Sequence, residues 1–132
     1  MKTVKDRPRV QINELSVNDI HKTAVQYCED RYPKTCSEFK RIQQEQYILF
    51  CKKQRNYGPS NISVGTSLEN KDDVKLSLTG LWFRINDKIQ RLKQLIVLGH
   101  RDEVGEPETD TFQDLSIYGV IAQIVSSKVW GK

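Results

Sequence analysis

This chain is short of cysteine, of long apolar runs and of long blocks of one charge, and each shortage excludes something. Its three cysteines, Cys28, Cys36 and Cys51, are odd in number, which argues against a closed disulfide framework. They also lack the paired close spacing of a zinc site. They read as reduced thiols. No apolar run approaches the length of a membrane span. The stretch after Met1 is polar and has no signal-peptide h-region. Together these features lead us to expect an intracellular, cytoplasmic protein. No basic block is long enough to be a nucleic-acid tail. Basic and aromatic residues are not interleaved as in a base-stacking platform. Gly65 lies in no Walker-type run, so a phosphate loop is not expected there.

What is present fits one globular domain over residues 1–132, long enough to enclose a hydrophobic core. Charged residues make up 29% of the chain and the formal net charge is +4. A basic balance favours anionic partners without naming one; nucleotides, nucleic acid and an acidic protein all qualify.

Residues 80–98 carry the clearest pattern. Leu81, Ile85, Ile89, Leu92 and Ile96 recur at three- and four-residue spacing, the apolar stripe of a helix. Arg84, Asp87, Lys88 and Arg91 share that helix at the same offsets, which place side chains side by side. Three cations thus surround one carboxylate. This group reads either as part of a site or as a surface ion-pair ladder of small energetic worth. Gly99 is suited to close the helix.

Along the rest of the chain, residues 1–16 are charged and aperiodic, with Val10, Ile12 and Leu15 as a short strand or an extended arm. Ser16 or Asn18 can cap a first short helix carrying Ile20, Ala24, Val25 and Tyr27, which Pro33 ends. Residues 35–55 read as helical, with Thr35 or Ser37 as cap, Glu38 in the first turn, and Phe39, Ile42, Tyr47, Ile48 and Phe50 as apolar surface. Glu38 and Glu45 lie seven apart, either as surface residues or as part of an acidic face. In Asn56-Tyr-Gly-Pro-Ser-Asn61, Gly58 and Pro59 mark a turn. Asn56, Tyr57 and Asn61 there can meet a nucleotide or simply shape the loop. Residues 62–79 read as a connection. Val74-Lys-Leu-Ser-Leu-Thr79 alternates as a short strand would, but a helical lead-in suits its helical surroundings better. His100 to Pro107 reads as a polar loop. Pro107 can begin a last helix, with Glu108 and Asp110 at its amino end. That helix is so apolar, from Phe112 to Val125, that deep burial or a subunit contact is expected. Trp130 is placed to anchor the end.

Three segments in order carry a resemblance. They are Lys53-x-x-Asn-Tyr-Gly58, Gly80-Leu-Trp-Phe-Arg-Ile-Asn-Asp-Lys-Ile-Gln-Arg-Leu92 and Asp110-Thr-Phe-Gln-Asp-Leu-Ser-Ile-Tyr118. Over roughly residues 36–127 the chain resembles the nucleotide modification associated domain type 1 family of phages and bacteria. More distantly it is similar to the all-alpha nucleoside triphosphate pyrophosphatases of the MazG and dimeric dUTPase type. The resemblance implies an all-α fold, a compact four- or five-helix bundle, assembled as a homodimer or homotetramer in a bacterial or phage-infected cell. It implies Mg2+ held by carboxylates on facing helices and hydrolysis of a canonical or modified deoxynucleoside triphosphate to monophosphate and pyrophosphate. Asp110 and Asp114 stand where the later acidic motif belongs, with Asp87 in the Arg-x-x-Asp-Lys segment. Glu45 stands on the earlier helix, where Ile42, Gln43, Gln44 and Gln46 replace the usual cluster of acids.

The expected site therefore has Asp87, Asp110 and Asp114 as catalytic residues, joined by Glu45 as metal ligands. Magnesium takes hard oxygen ligands, which suits carboxylates. Arg84, Lys88 and Arg91 would balance phosphate charge, and Asn56, Tyr57 and Asn61 would meet base or sugar. The alternative is a noncatalytic nucleotide-binding or interaction protein supporting DNA modification. A small nucleic-acid-binding protein ranks below both.

Overall fold

A computed structural model describes residues 14–132, with side chains from His21 onward. The expected arm at 1–16 falls largely outside the described residues, as do the side chains of Leu15, Ser16, Asn18 and Ile20. The described residues form five α-helices and no strand: α1 (Glu14–Arg31), α2 (Pro33–Tyr57), α3 (Ser60–Ser63), α4 (Lys71–Leu92) and α5 (Glu108–Ser126). The all-α expectation holds at that level. No helix among the described residues is long and apolar enough to cross a membrane.

The chain divides into two compact units, residues 1–44 and 45–132. In the first, α1 stops at Arg31 and Pro33 opens α2. Proline can hold a first helical position because no intrahelical bond needs its missing N–H. Lys40 pairs with Glu29, and Arg41 with Glu38. None of the side chains described between residues 21 and 44 is fully buried.

The second unit holds the core. Leu81 of α4, Ile117, Ile121 and Val125 of α5, Ile62 of α3, Leu68 and Trp130 are all buried. Leu49 and Phe50 of α2 pack against them from the side. Gly58, at φ +68°, turns the chain sharply after α2, a conformation that costs glycine little. Pro59 follows it, and the Trp130 indole N–H donates to the Pro59 carbonyl at 3.0 Å. The Trp130 ring meets Phe50 edge-on, centroids 6.0 Å apart. The terminal tryptophan thus anchors that end, as its position suggested.

Helix α4 starts well before the pattern-bearing stretch. Asn70 caps it, its side chain accepting from the Asp73 N–H at 2.9 Å, and Asp72 and Asp73 sit in the first turn. Cap and acids satisfy orphan amides and favour the positive end of the helix dipole. The alternation over 74–79 is therefore helical, with Ser77 buried and its hydroxyl donating to the Ile62 carbonyl at 2.7 Å. After Leu92 the chain widens into one π-helical turn, Lys93–Val97. Gly99, at φ +68°, closes it, and the His100 N–H donates to the Gln94 carbonyl at 2.9 Å.

Of the stripe chosen from periodicity, Leu81 is buried and Ile85 and Leu92 are half-buried. Ile89 is 49% exposed and Ile96 48%. From the buried Ser77 and Leu81, the half-buried Arg84, Lys88 and Arg91 continue at helical spacing.

Candidate functional site

The face of α4 that turns inward carries three cations, and each has a partner on another segment. The Arg84 guanidinium donates to the Asn61 carbonyl at 2.9 Å. Lys88 Nζ lies 2.9 Å from Asp114 Oδ2 on α5 and 3.9 Å from Glu106. Arg91 donates to Thr111 Oγ1 at 2.6 Å, to the Glu106 carbonyl at 2.7 Å and to Asp102 Oδ1 at 3.2 Å. Partly buried cations need such partners, since an unpaired one would be costly. The Asp114 hydrogen bond holds the Lys88 ammonium above the usual lysine range, against partial burial, with the charges of Asp114, Glu106 and Tyr118 adding to the effect.

Beside this row lies a cavity of about 290 Å³, close to the lower end of small-ligand pockets at about 300 Å³. Phe50, Lys53, Gln54 and Tyr57 reach it from α2, and Asn61 and Ile62 from α3. Arg84 enters from α4, and Asp114, Ile117, Tyr118 and Ile121 from α5. All of these residues belong to the second unit. Lys53 Nζ stands 3.7 Å from Asp114 Oδ1, so Asp114 lies between two ammonium groups. Asn61 Oδ1 is buried with no hydrogen-bond partner. A buried acceptor left unsatisfied costs about 1–3 kcal/mol, and in a cavity wall that cost is relieved by a donor on an incoming ligand.

The expected site residues separate into groups. Tyr57, Asn61, Arg84 and Asp114 line the cavity, and Lys88 joins it through Asp114. Arg91 is turned to the loop before α5 and to Thr111, where it holds structure together. Asn56, Glu45, Asp87 and Asp110 are exposed and do not line the cavity. Asp87 has no ion pair among the described residues, because Arg84, Lys88 and Arg91 all turn to other segments.

The expected magnesium ligands were Glu45, Asp87, Asp110 and Asp114. Among the described residues no three His, Cys, Asp or Glu side chains stand together as a metal site. Of these four, Asp114 alone lines the cavity, and two lysines already neutralise it. That donor set does not fit a magnesium ion within one chain, since the ion takes several hard oxygens.

Lys53, Phe50 and Tyr118 were not singled out as site residues. A signal was available: Phe50, Lys53, Gln54 and Tyr57 have i, i+3, i+4, i+7 spacing, so Lys53 shares the face of Tyr57. On α5, Thr111, Asp114 and Tyr118 interrupt the apolar face at the same kind of spacing. Polar residues at core-facing positions are the informative ones. The chain matches no protein-family model, no curated protein and no solved structure.

Proposed function

We propose that the second unit binds a nucleotide in the cavity walled by α2, α3, α4 and α5. The observation that carries this reading is the composition of that wall: aromatic rings, cations and one unsatisfied buried acceptor in the same small space. Lys53, Lys88 and Arg84 supply positive charge for phosphate oxygens. Tyr57 and Tyr118 offer ring faces to a base. The Asn61 carboxamide oxygen accepts from a base N–H or a sugar hydroxyl. In this reading Asp114 takes the place of the phosphate when no ligand is bound and yields Lys53 and Lys88 when one arrives. The resemblance to the nucleotide modification associated domain points to a deoxynucleotide, canonical or modified.

The second reading is the hydrolytic one, a magnesium-dependent pyrophosphohydrolase acting on a deoxynucleoside triphosphate. It is supported by the position of Asp114 in the cavity wall alone, and requires further oxygen ligands from outside that wall. The two readings give Asp114→Asn opposite effects. If Asp114 competes with phosphate, the variant binds deoxynucleotides more tightly without magnesium, by about tenfold, or about 1.4 kcal/mol. If Asp114 serves hydrolysis, the variant loses magnesium-dependent binding or turnover. Calorimetric titration of parent and variant with deoxynucleoside mono- and triphosphates, with and without magnesium, distinguishes them. An assay for released monophosphate and pyrophosphate completes the test. Absence of nucleotide binding in the parent under all these conditions would sink both readings.

A further inference from the structure

The second unit has another cavity, larger than the one described above. It is an open groove of about 570 Å³ along the amino-terminal half of α4, with Val74, Leu78 and Trp82 as its apolar floor and Lys71, Lys75, Thr79 and Lys128 as its polar lining. Val74, Leu78 and Trp82 repeat every four residues, so the floor follows the helix for roughly 12 Å, about two turns. Trp82 is 59% exposed, a large apolar surface left in solvent. Its ring is held by an edge contact with Phe83, centroids 5.4 Å apart. Lys128 reaches the rim from just past the end of α5, at φ +62°.

The rim lysines differ from the cations on the other face of the helix. Among the described residues none of Lys71, Lys75 and Lys128 is ion-paired, whereas Lys53, Lys88 and Arg91 all are. No acidic residue lines the groove. Of the two acids in the first turn of the helix, Asp73 is engaged at the cap with Asn70, and neither Asp72 nor Asp73 lines the groove. An apolar floor at helical spacing, edged by unpaired charge of one sign, has the complementarity of a helix-in-groove site. We propose that this groove docks an amphipathic helix of a partner protein whose apolar stripe meets Val74, Leu78 and Trp82 and whose flanking glutamates or aspartates meet the lysines. A second copy of this chain is a poorer occupant. A two-fold contact through the groove would bring like lysines together, and like charges at an interface oppose docking. The groove shares no lining residue with the nucleotide cavity, so the proposal stands independently of the function assigned to that cavity.

The test uses the full chain and a fluorescein-labelled synthetic helix of roughly 15–20 residues, with leucines at i, i+3, i+4, i+7 and glutamates on both flanks. Fluorescence anisotropy should show saturable micromolar binding that weakens as salt rises. Trp82→Ala and the double variant Lys71→Glu, Lys75→Glu should each reduce affinity tenfold or more. All three positions are exposed enough for the fold to persist, which circular dichroism checks. A peptide with lysines in place of the glutamates should bind at least tenfold more weakly. Equal binding of the two peptides, or no saturable binding of the acidic one, overturns the proposal. Two further results would also overturn it. One is binding to phosphatidylserine vesicles, lost in the same variants, without peptide binding, which assigns the face to a membrane. The other is self-association abolished by Trp82→Ala, which assigns it to a second copy.

Discussion

The two halves of α4 use the same kinds of residue in opposite ways. In the carboxyl-terminal half, Arg84, Lys88 and Arg91 turn inward and are paired, while Ile89 stays half exposed. In the amino-terminal half, Lys71 and Lys75 stay outside and unpaired beside an open apolar floor. The difference lies in what each half faces. Asp102, Glu106, Thr111 and Asp114 lie within reach of the inner cations. No carboxylate lines the groove around the first two turns. A cation is buried where another segment supplies oxygens for it, and otherwise remains in water.

The comparison breaks most readily at Arg91. Its guanidinium joins α4 to the loop before α5 and to the buried Thr111 hydroxyl. Arg91→Ala removes charge-assisted hydrogen bonds and takes the donor from the buried Thr111 hydroxyl. We expect a stability loss of about 2–3 kcal/mol, read as a lower urea midpoint with an unchanged slope. Arg91→Lys should recover only part of it, because an ammonium cannot reproduce the planar fork. If Arg91→Ala proves as mild as an ordinary surface change, the inner row is not the structural clamp described above.

A smaller and pH-dependent effect belongs to Lys88. Its pKa is raised in the folded state, chiefly by the Asp114 hydrogen bond. A raised lysine pKa means that the folded state holds the proton more tightly than the unfolded chain. The resulting stability is present in full below the unfolded value of about 10.4. It is lost as pH rises through the higher folded value. The stability difference between the parent and Lys88→Met should therefore be flat from neutral pH to about 9.5 and shrink above about 10.4. Thermal denaturation of both proteins across that range measures it. A difference that already fades between neutral pH and about 9 would contradict the assignment.

The smallest effect is expected at the outer lysines. Lys71→Ala and Lys75→Ala should each change stability by no more than about 0.5 kcal/mol, because neither is ion-paired among the described residues. Chemical denaturation is sufficient to check this. A loss approaching that of Arg91→Ala would mean that the two halves of α4 do not differ in the way their geometry indicates.

Much of the fold was legible in the sequence, because local rules carry it. Gly58 with Pro59, Gly99, and Pro107 with the acids after it fixed three breaks, each through a backbone constraint that acts within a few residues. The amino end of α4 was harder to see. Glu69 to Asp73 looks like a solvated loop, yet Asn70 and Asp73 form the cap that starts the helix. Of the residues singled out in the sequence, Tyr57, Asn61, Arg84 and Asp114 line one cavity, and Lys88 is bonded to Asp114. Asp87 was grouped with them because it shares a helix with three of them. It points elsewhere because sequence proximity on a helix does not fix which neighbours a cation chooses.

The sequence by itself determined the longer helical stretches, though not α3 or the start of α4, and which residues share each helical face, since a period of 3.6 residues follows from backbone geometry alone. It could not determine which of the two faces of α4 would be covered, because the apolar stripe and the cation row are equally regular. Only the tertiary structure decided that. The partners of the inner row lie far along the chain, Asn61 for Arg84, Asp114 for Lys88, and Asp102 and Thr111 for Arg91. The free energy of burying a cation depends on oxygens that the helix itself does not carry.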